Sequence, residues 1–431
     1  LEREGYQLFK GDIMSYPEIA HISQHVDTKK VADIDQVIAT EMRRLKLRDR
    51  IKSDARVALS AGSRGINDNV SIIRAVIREL KEIGAQPVII PSMGSHGGAT
   101  AEGQAGMLEG LGLSKKTLGV PIVSSMDVVE LGTTEEGIPV VFSKDALACD
   151  NVIVINRIKP HTEFSGKIES GLTKMLVIGM GKHKGAILAH KWAVRFGYER
   201  TLISSANLII NRVPIAMGIG IVENGFGQAA RIEAVSPENF VEEEIRLLDY
   251  ARQTCPHLPF DRLDVLIVDE GGKEISGTCM DTKVIGRIMN IYEQPLTHPY
   301  ITRIILRDIT DTSHGNGLGI GLADFVTKRL ADKLNRSITD LNCVTAVAPE
   351  KARLPIVAET DQSAVDQAIA TAGPVTPNDI RLCWIENTMK LDTMYVSKAL
   401  LGEVSIKDEL KMLSDLTPMK FSGAGKLLPP G

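Results

Sequence analysis

Apolar runs that end in glycine alternate with amphipathic segments through the first half of the chain. RVALSAG (56–62) is a short apolar run closed by glycine, which predicts a buried strand. SIIRAVIRELKEIGA (71–85) repeats apolar residues at helical intervals and stops at Gly84, which predicts an amphipathic helix. PVIIP (87–91) is the next predicted strand. This β-α-β order predicts a parallel sheet whose ligands bind at the carboxyl ends of the strands.

The same pattern restarts in the second half of the chain. TCPHLPFDR (254–262) is polar and carries two prolines, and an apolar strand, DVLIVDEGG, follows it. We place a domain boundary near residue 258, which gives an N-terminal domain (1–258) with the candidate catalytic loops and a C-terminal domain (259–431) that closes over them. The predicted fold class is α/β, with two α/β domains, parallel-type sheets and the active site in the cleft between the domains.

Composition narrows the class of protein. The chain carries 50 basic and 54 acidic side chains, a formal charge of -4 and 4% aromatic residues, so neither a basic nucleic-acid face nor a base-stacking platform is indicated. The five cysteines are far apart and form no CxxC pair, which is typical of a reducing cytoplasm. No apolar run reaches the roughly 18 residues of a membrane span. We expect a cytoplasmic protein that binds neither nucleic acid nor membrane; its oligomeric state stays open.

Three loops that follow predicted strands carry side chains suited to acid–base chemistry. AGSRGIND presents Arg64, PSMGSHGGAT presents His96 between glycines, and NRIKPHTEFSG presents His161 after a proline. A guanidinium group can hold a carboxylate through two hydrogen bonds, and imidazoles exchange protons near neutral pH. One such histidine alone is more often a surface or hydrogen-bonding residue. Three functional side chains at successive strand ends converge on one crevice, which favours a catalytic role.

A fourth segment, SGKIESGLTKMLVIGMGKHKGAILAHK, combines lysines, histidines and glycines. Lys174 precedes the apolar run MLVIGM, so its amine is either a snorkelling cation or a desolvated nucleophile. His183 and His190 are seven residues apart (190 − 183 = 7) in a predicted helix, 183–197, and therefore share a face. On composition alone, a solvated basic helix start explains this segment equally well.

Common nucleotide-binding and hydrolase signatures are missing from the sequence. Neither a P-loop, nor HExxH, nor a GxSxG elbow is present. GNGLGIG (315–321) follows a predicted strand and opens a predicted helix, but it departs from the GxGxxG spacing. It is therefore only a weak candidate for a phosphate-binding loop.

At the catalytic loops the sequence resembles the lactate racemase family, whose members use a nickel-pincer nucleotide. The resemblance covers roughly residues 50–290. Arg64 matches an arginine in the family's first loop, His96 in MGSH matches a histidine in a TGTH-like loop, and His161 in KPH matches a further histidine after a basic residue and proline.

The resemblance also implies a set of cofactor-binding residues. The family has a lysine, covalently bonded to the cofactor, after an FSGG-like turn, and FSGKIESGLTKM assigns this role to Lys174. Its nickel-binding histidine lies sixteen residues further on, which is His190 (190 − 174 = 16). Ser95, Gly166 and Lys283 are the other residues expected to bind the cofactor.

By this resemblance the protein is expected to be an isomerase, a racemase or epimerase of a lactate-like 2-hydroxy acid or a sugar acid. Removing the α-hydrogen as a proton is difficult because the carboxylate opposes a carbanion, whereas hydride transfer to the nickel-pincer nucleotide avoids that difficulty. Arg64 would hold the substrate carboxylate, and His96 and His161 would be the two acid–base groups. The expected partners are the hydroxy-acid substrate and the enzymes that synthesise the cofactor.

The sequence also departs from the family pattern. Ala61 stands where the family has an acidic residue, and Met280 stands where it has a glutamine near Lys283, so the side chain of the substrate stays open. Inserted residues after the FSG turn leave Lys167 as a rival cofactor lysine. Two other classes of function remain: a metal-assisted dehydratase or hydrolase that uses the same histidines without an organic cofactor, and a non-catalytic carrier of nickel or a nucleotide.

Overall fold

The computed structural model describes residues 15–63 and 66–430, which form two compact units. The N-terminal unit comprises residues 26–255 and 292–294, and the C-terminal unit comprises residues 15–25, 256–291 and 295–430. Between them these two units contain every element described below.

Helices and strands alternate along most of the described chain. In chain order the strands are β1 (Glu18–Gln24), β2 (Arg56–Ala61), β3 (Gln86–Pro91), β4 (Val128–Thr133), β5 (Pro139–Ser143), β6 (Asn151–Arg157), β7 (Ile215–Glu223), β8 (Ala229–Val235), β9 (Arg262–Gly271), β10 (Tyr300–Ile309), β11 (Phe325–Thr327), β12 (Ile356–Ala358), β13 (Leu382–Ile385), β14 (Thr393–Ser397), β15 (Leu410–Met412), β16 (Thr417–Pro418), β17 (Lys420–Phe421) and β18 (Leu427–Leu428). The α-helices are α1 (Ile34–Arg44), α2 (Leu47–Arg50), α3 (Asn69–Glu82), α4 (Ala101–Gly110), α5 (Lys115–Leu118), α6 (Lys144–Leu147), α7 (Leu172–Lys174), α8 (Lys182–Phe196), α9 (Tyr198–Arg212), α10 (Phe240–Thr254), α11 (Thr282–Ile285), α12 (Lys328–Lys333), α13 (Arg336–Thr345), α14 (Asp361–Ala370) and α15 (Leu401–Val404).

The central sheet of the N-terminal unit has the strand order β3-β2-β6-β7-β8. Strands β3, β2, β6 and β7 are parallel, and β8 pairs with β7 in the antiparallel sense. Ala58 of β2 packs into one apolar cluster, while its neighbours Val57 and Leu59 pack into another. Burial on both faces explains why this strand is a continuous apolar run. The parallel sheet predicted from the β-α-β pattern is confirmed.

Helix α3 follows the predicted amphipathic pattern. Its apolar residues at helical spacing, among them Ile72, Val76 and Leu80, are fully buried. The helix gives way at Gly84, which adopts a positive φ of 86°. Glycine reaches this conformation without strain, so it ends the helix as the sequence indicates.

The segment between Lys174 and His190 is helical but irregular. A π-helical turn, Met175–Gly179, directly follows α7, and the backbone N–H of Met180 donates to the carbonyl of Met175 at 2.8 Å. Helix α8 then opens at Lys182, whose φ is +56°. The helix closes at Gly197, as predicted. A lysine at positive φ and a π-turn are both uncommon, and both concentrate at functional sites.

The C-terminal unit contains a nine-stranded sheet with the order β12-β11-β10-β9-β13-β14-β1-β15, and β16 also pairs with β1. Strands β9 to β13 pair with one another in the parallel sense, whereas the pairs β13–β14, β14–β1 and β1–β15 are antiparallel. The sheet is therefore parallel in one half and antiparallel in the other.

The observed division of the chain differs in part from the one predicted. The second unit begins after residue 255, three residues before the predicted boundary (258 − 255 = 3). Residues 15–25 group with the C-terminal unit, because β1 pairs with β14 and β15 there. Within residues 15–63 and 66–430, no helix combines the length and apolar character required to cross a membrane.

Candidate active site at the carboxyl edge of the N-terminal sheet

The loops that carry the candidate catalytic residues leave three neighbouring strands at one edge of the sheet. Strand β2 lies between β3 and β6, and all three run parallel, so their carboxyl ends share an edge. Ser63 follows β2, and its Oγ lies 2.5 Å from Nδ1 of His96, which follows β3. His161 follows β6. Arg64 lies outside the described residues, so its role stays a prediction from the sequence.

The loop that carries His96 is held by hydrogen bonds from Gln104 and by packing on Ile178. The side-chain amide of Gln104 donates to the carbonyl of Gly94 at 2.9 Å and to that of His96 at 3.2 Å. Gly94 has a φ of +61°, and a Cβ at this position would lie only 3.1 Å from the side chain of Ile178. The loop thus rests on the helical segment between Lys174 and His190, while His96 itself is exposed.

His161 and Lys174 are in direct contact. Nζ of Lys174 lies 2.5 Å from Nε2 of His161, and both side chains are half-buried. The backbone N–H of Glu163 donates to Nδ1 of the same histidine at 3.0 Å. The ring of Phe164 packs against the imidazole with a centroid separation of 4.8 Å. The structure therefore brings together two residues that the sequence assigns to different tasks.

Glu169 fixes the loop that carries His161, and sequence reasoning missed it. Its buried carboxylate accepts the backbone N–H of His161 at 2.5 Å and pairs with the guanidinium of Arg252 at 2.8 Å. Burying a carboxylate is favourable only when it is paired and hydrogen-bonded, as it is here. The only signal in the sequence was an acidic residue within the basic SGKIES segment. Its partner Arg252 is distant in sequence and could not be foreseen.

His190 is an uncharged imidazole at neutral pH. Burial, followed by the nearby positive charge of Lys174, lowers its pKa from 6.5 to about 4, and the carboxylate of Glu163 acts in the opposite direction. Nδ1 of His190 lies 2.7 Å from the hydroxyl of Tyr198. If Nδ1–H donates to that hydroxyl, the lone pair of Nε2 is available to a metal. In the described part of the chain, no three His, Cys, Asp or Glu side chains are grouped to hold a metal ion.

Tyr198 connects the two histidines of this cluster. Its ring stacks on Phe164 at 4.7 Å and meets the ring of His190 edge-on at 5.8 Å, while the ring of His161 lies 6.4 Å away. Burial, with a contribution from Tyr292, raises the pKa of this phenol well above 10, so it stays protonated. Sequence reasoning missed Tyr198; the signal available was its place directly after Gly197, where α8 ends.

Glu244 anchors the turn that carries Lys174. This fully buried carboxyl group accepts both the backbone N–H and the hydroxyl of Thr173 through Oε2, at 2.6 Å each. Its Oε1 has no hydrogen-bond partner among the described residues and leaves no room for a Cβ on Gly171, which would lie 2.2 Å away. Burial outweighs these hydrogen bonds and raises the pKa of Glu244 from 4.5 to about 7.

Lys182 ties the start of α8 to the end of β3. Its side chain is fully buried, and Nζ donates to the carbonyl of Pro91 at 2.6 Å. Burial lowers the pKa of this amine from 10.5 to about 8, with a smaller opposing effect from Asp145. Lys182 therefore links the helix of His190 to the strand that leads into the His96 loop.

The remaining candidate residues differ in their surroundings. The side chain of Lys167, the rival cofactor lysine, is exposed to solvent. Its backbone N–H donates to Glu199 at 2.6 Å. A Cβ on Gly166 would lie 2.5 Å from Oε2 of Glu199, so packing within the protein already accounts for this glycine. Ser95 is half-buried in the His96 loop. Lys283 belongs to α11 of the C-terminal unit.

The GNGLGIG segment also has an explanation within its own unit. A Cβ on Gly319, which has a φ of +97°, would lie 2.1 Å from the carbonyl oxygen of Thr278, and one on Gly315 would lie 2.6 Å from that of Lys333. Backbone approaches backbone closely at both positions, which only glycine permits. These glycines are thus required by packing.

Together these features define an α/β protein with a lysine and histidines clustered at the carboxyl edge of a parallel sheet. Residues 9–197 match the family model described as the lactate racemase N-terminal domain. The resemblance is therefore confirmed over this segment, which contains His96, His161, Lys174 and His190.

Other comparisons add one structural likeness. The structure of the lactate racemase apoprotein from Thermoanaerobacterium thermosaccharolyticum aligns with 85% of this chain and 100% of that chain, with a TM-score of 0.48 and 11% sequence identity. Comparison with curated proteins finds no significant match.

Proposed function

We propose that this protein is a racemase or epimerase of a 2-hydroxy acid, with a nickel-pincer nucleotide attached to Lys174 and nickel bound through His190. One observation carries the proposal: an amine, an imidazole in contact with it and a second, uncharged imidazole share one cluster at the sheet edge. Carboxyl edges of parallel sheets are where ligands bind in α/β proteins.

The residues present fit this cofactor. His190 needs no proton loss before it binds a metal, since its pKa is about 4, and the hydroxyl of Tyr198 orients the ring through Nδ1. Lys174 is half-buried beside it and is the better candidate for attachment than the exposed Lys167. When bound, such a cofactor supplies a hydride acceptor and donor.

The protein's own share of the reaction is to position the substrate and move one proton at a time. His161 would take the hydroxyl proton of one enantiomer, and His96, exposed in the loop after β3, would serve the other. Nδ1 of His96 lies 2.5 Å from Oγ of Ser63, which orients the ring. Arg64 is proposed to hold the substrate carboxylate through paired hydrogen bonds.

The substrate is proposed to be a lactate-like compound or a sugar acid. Ser95 and Lys283 are proposed to bind the cofactor. A cytoplasmic location is proposed as well. The cofactor-synthesis enzymes would act before this protein, because it must be loaded before it turns over.

The test compares protein produced with and without the cofactor-synthesis enzymes. We expect loading to give a mass increment on the intact chain, bound nickel, and racemisation of at least one compound in a panel of hydroxy acids and aldonates. Nickel without a mass increment, together with dehydration or hydrolysis, would replace this proposal with the metal-assisted class. Retained cofactor with no turnover across the panel would replace it with a carrier.

Two matched variants test the acid–base assignment. Replacing His96 or His161 with alanine should lower racemisation in both directions by roughly 10²-fold, because each full turnover uses both groups. His183→Ala removes another half-buried histidine of the same unit and should leave the rate near that of the unmodified protein. Full activity in either of the first two variants would remove that histidine from the mechanism.

A further inference from the structure

Helix α9 begins without a cap of its own. It starts at Tyr198, directly after Gly197, which has a φ of +75° and no side chain to accept a hydrogen bond. The first backbone N–H groups of a helix have no partner within the helix, so another group must accept them. For Tyr198 that group comes from a distant part of the chain.

Glu293 supplies this cap. Its Oε1 accepts the backbone N–H of Tyr198 at 3.1 Å. Residues 292–294 group with the N-terminal unit, although the residues on both sides of them belong to the other. The ring of Tyr292 lies 6.2 Å from that of Tyr198 and packs against the same apolar cluster. A carboxyl group at the start of a 15-residue helix is also favoured by the helix dipole.

The capped residue is the one that contacts His190. Tyr198 is only 2% exposed, and its hydroxyl lies 2.7 Å from Nδ1 of His190. Its ring stacks on Phe164 at 4.7 Å and meets the imidazole edge-on. Tyr198 is thus held at both ends, by Glu293 at its backbone and by His190 at its hydroxyl. A shift of the first turn of α9 would move that hydroxyl away from Nδ1.

We infer that Glu293 is a positioning residue for His190: it holds the first turn of α9 so that the hydroxyl of Tyr198 stays against Nδ1 of the imidazole. A partner at one ring nitrogen fixes the orientation of a metal-binding histidine. Glu293 lies outside the segment 9–197 that matches the lactate racemase N-terminal domain, so a later part of the chain supports the site.

The inference deepens the proposed function, and its consequence for nickel rests on that function. The hold on His190 rests only on the contacts of Glu293 and Tyr198. It therefore has a test of its own that needs neither nickel nor turnover.

The first test uses the unloaded protein and diethyl pyrocarbonate, which acylates imidazole nitrogens. Peptide mass spectrometry measures the rate of modification of His190, with His183 on the same helix as the internal reference. Loss of a helix cap shifts the local opening equilibrium by roughly fivefold. Glu293→Ala should therefore raise the rate at His190, relative to that at His183, by about fivefold.

Two variants separate this contact from a general loss of stability. Glu293→Gln keeps a side-chain oxygen that can accept the same N–H group, so it should keep the slow rate at His190. Asp33→Ala removes the cap of α1, where the side chain accepts the N–H of Gln36 at 2.9 Å. Helix α1 packs into a different apolar cluster from Tyr198. Asp33→Ala should lower the melting temperature as Glu293→Ala does, by about 2–4 °C, and leave the rate at His190 unchanged.

The second test measures the nickel that the loaded protein retains after dialysis. Glu293→Ala should lower it by roughly fivefold, while Glu293→Gln and Asp33→Ala should not lower it. Adding Glu293→Ala to Tyr198→Phe should cause no further loss, because Glu293 acts through the hydroxyl that Tyr198→Phe removes.

Three results would overturn the inference: an unchanged rate at His190 in Glu293→Ala, an equal effect of Asp33→Ala, or additive losses of nickel in the double variant. A rate at His190 that depends on Glu293, in a protein that takes up no nickel cofactor, would sustain the inference and remove the proposed function. Nickel loading that His190→Ala abolishes, together with an unchanged His190 rate in Glu293→Ala, would do the reverse.

Discussion

Replacing Glu244 with glutamine isolates the free-energy cost of keeping a carboxyl group in the interior of the N-terminal unit. Glu244 is fully buried, and its Oε2 holds the N–H and hydroxyl of Thr173, next to Lys174. A glutamine carbonyl can accept the same two hydrogen bonds but carries no charge at any pH. The exchange therefore removes the titrating group but keeps the two hydrogen bonds from Thr173.

The magnitude follows from the raised pKa. Burial moves the pKa of Glu244 from 4.5 to about 7, so the folded protein keeps a proton that the unfolded chain has already released. The free energy of unfolding consequently falls as the pH rises from 4.5 to about 7. Above the folded pKa the stabilisation from the retained proton is lost completely. A shift of this size corresponds to about 3 kcal/mol.

Chemical unfolding followed by circular dichroism at about pH 5 and about pH 8 measures this effect. Relative to the unmodified protein, Glu244→Gln should gain about 3 kcal/mol of unfolding free energy between these two pH values, while all other titrating groups cancel. Any pH-independent cost of the amide cancels as well.

Glu242→Gln is the control, because Glu242 is an exposed carboxyl group on the same helix and should give no such gain. A difference between Glu244→Gln and the unmodified protein that stays constant within about 1 kcal/mol across this range would refute the reasoning. It would mean that Glu244 is charged in the folded protein at neutral pH.

Three further predictions concern the loaded protein. His190→Ala should lose most of the bound nickel and His21→Ala, in β1 of the other unit, should not; equal metal content by mass spectrometry would remove the assignment. Tyr198→Phe removes only the hydroxyl that contacts His190 and should lower nickel retention after dialysis by roughly 10-fold or more, whereas unchanged retention would show that the hydroxyl is dispensable. Lys174→Ala should abolish the mass increment of the attached cofactor, and Lys167→Ala should keep it. The opposite pattern would place the attachment at Lys167.

Local apolar patterning was sufficient to predict much of the N-terminal unit. Strand β2, helix α3 and strand β3 lie where the periodicity places them, because the side chains that form the pattern are those that the sheet and helix bury. The grouping of residues 15–25 with the C-terminal unit was beyond such reasoning. It depends on β1 pairing with β14, hundreds of residues away in sequence. Pairing over that distance leaves no local signal in the chain.

The candidate site was predictable where its residues follow strands or fit a family spacing. His96, His161, Lys174 and His190 belong to such motifs, and the structure describes each of them in the N-terminal unit. Their supporting residues are different, because nothing in the sequence near Glu244 indicates that it meets Thr173, which lies on a separate element. Supporting contacts of this kind follow from tertiary packing alone.

The backbone between Lys174 and His190 is irregular, so the number of residues between them determines how the two side chains are placed. In an unbroken α-helix, side chains sixteen residues apart would lie about 24 Å apart and about 160° apart around the axis. Here the π-turn at Met175–Gly179 and the left-handed Lys182 redirect the chain, and the charge of Lys174 is close enough to lower the pKa of His190. Deleting or adding a single residue in this stretch would turn one of the two side chains by about 100°. The number of residues in this stretch, and not only their identity, therefore determines whether Lys174 and His190 can serve one site.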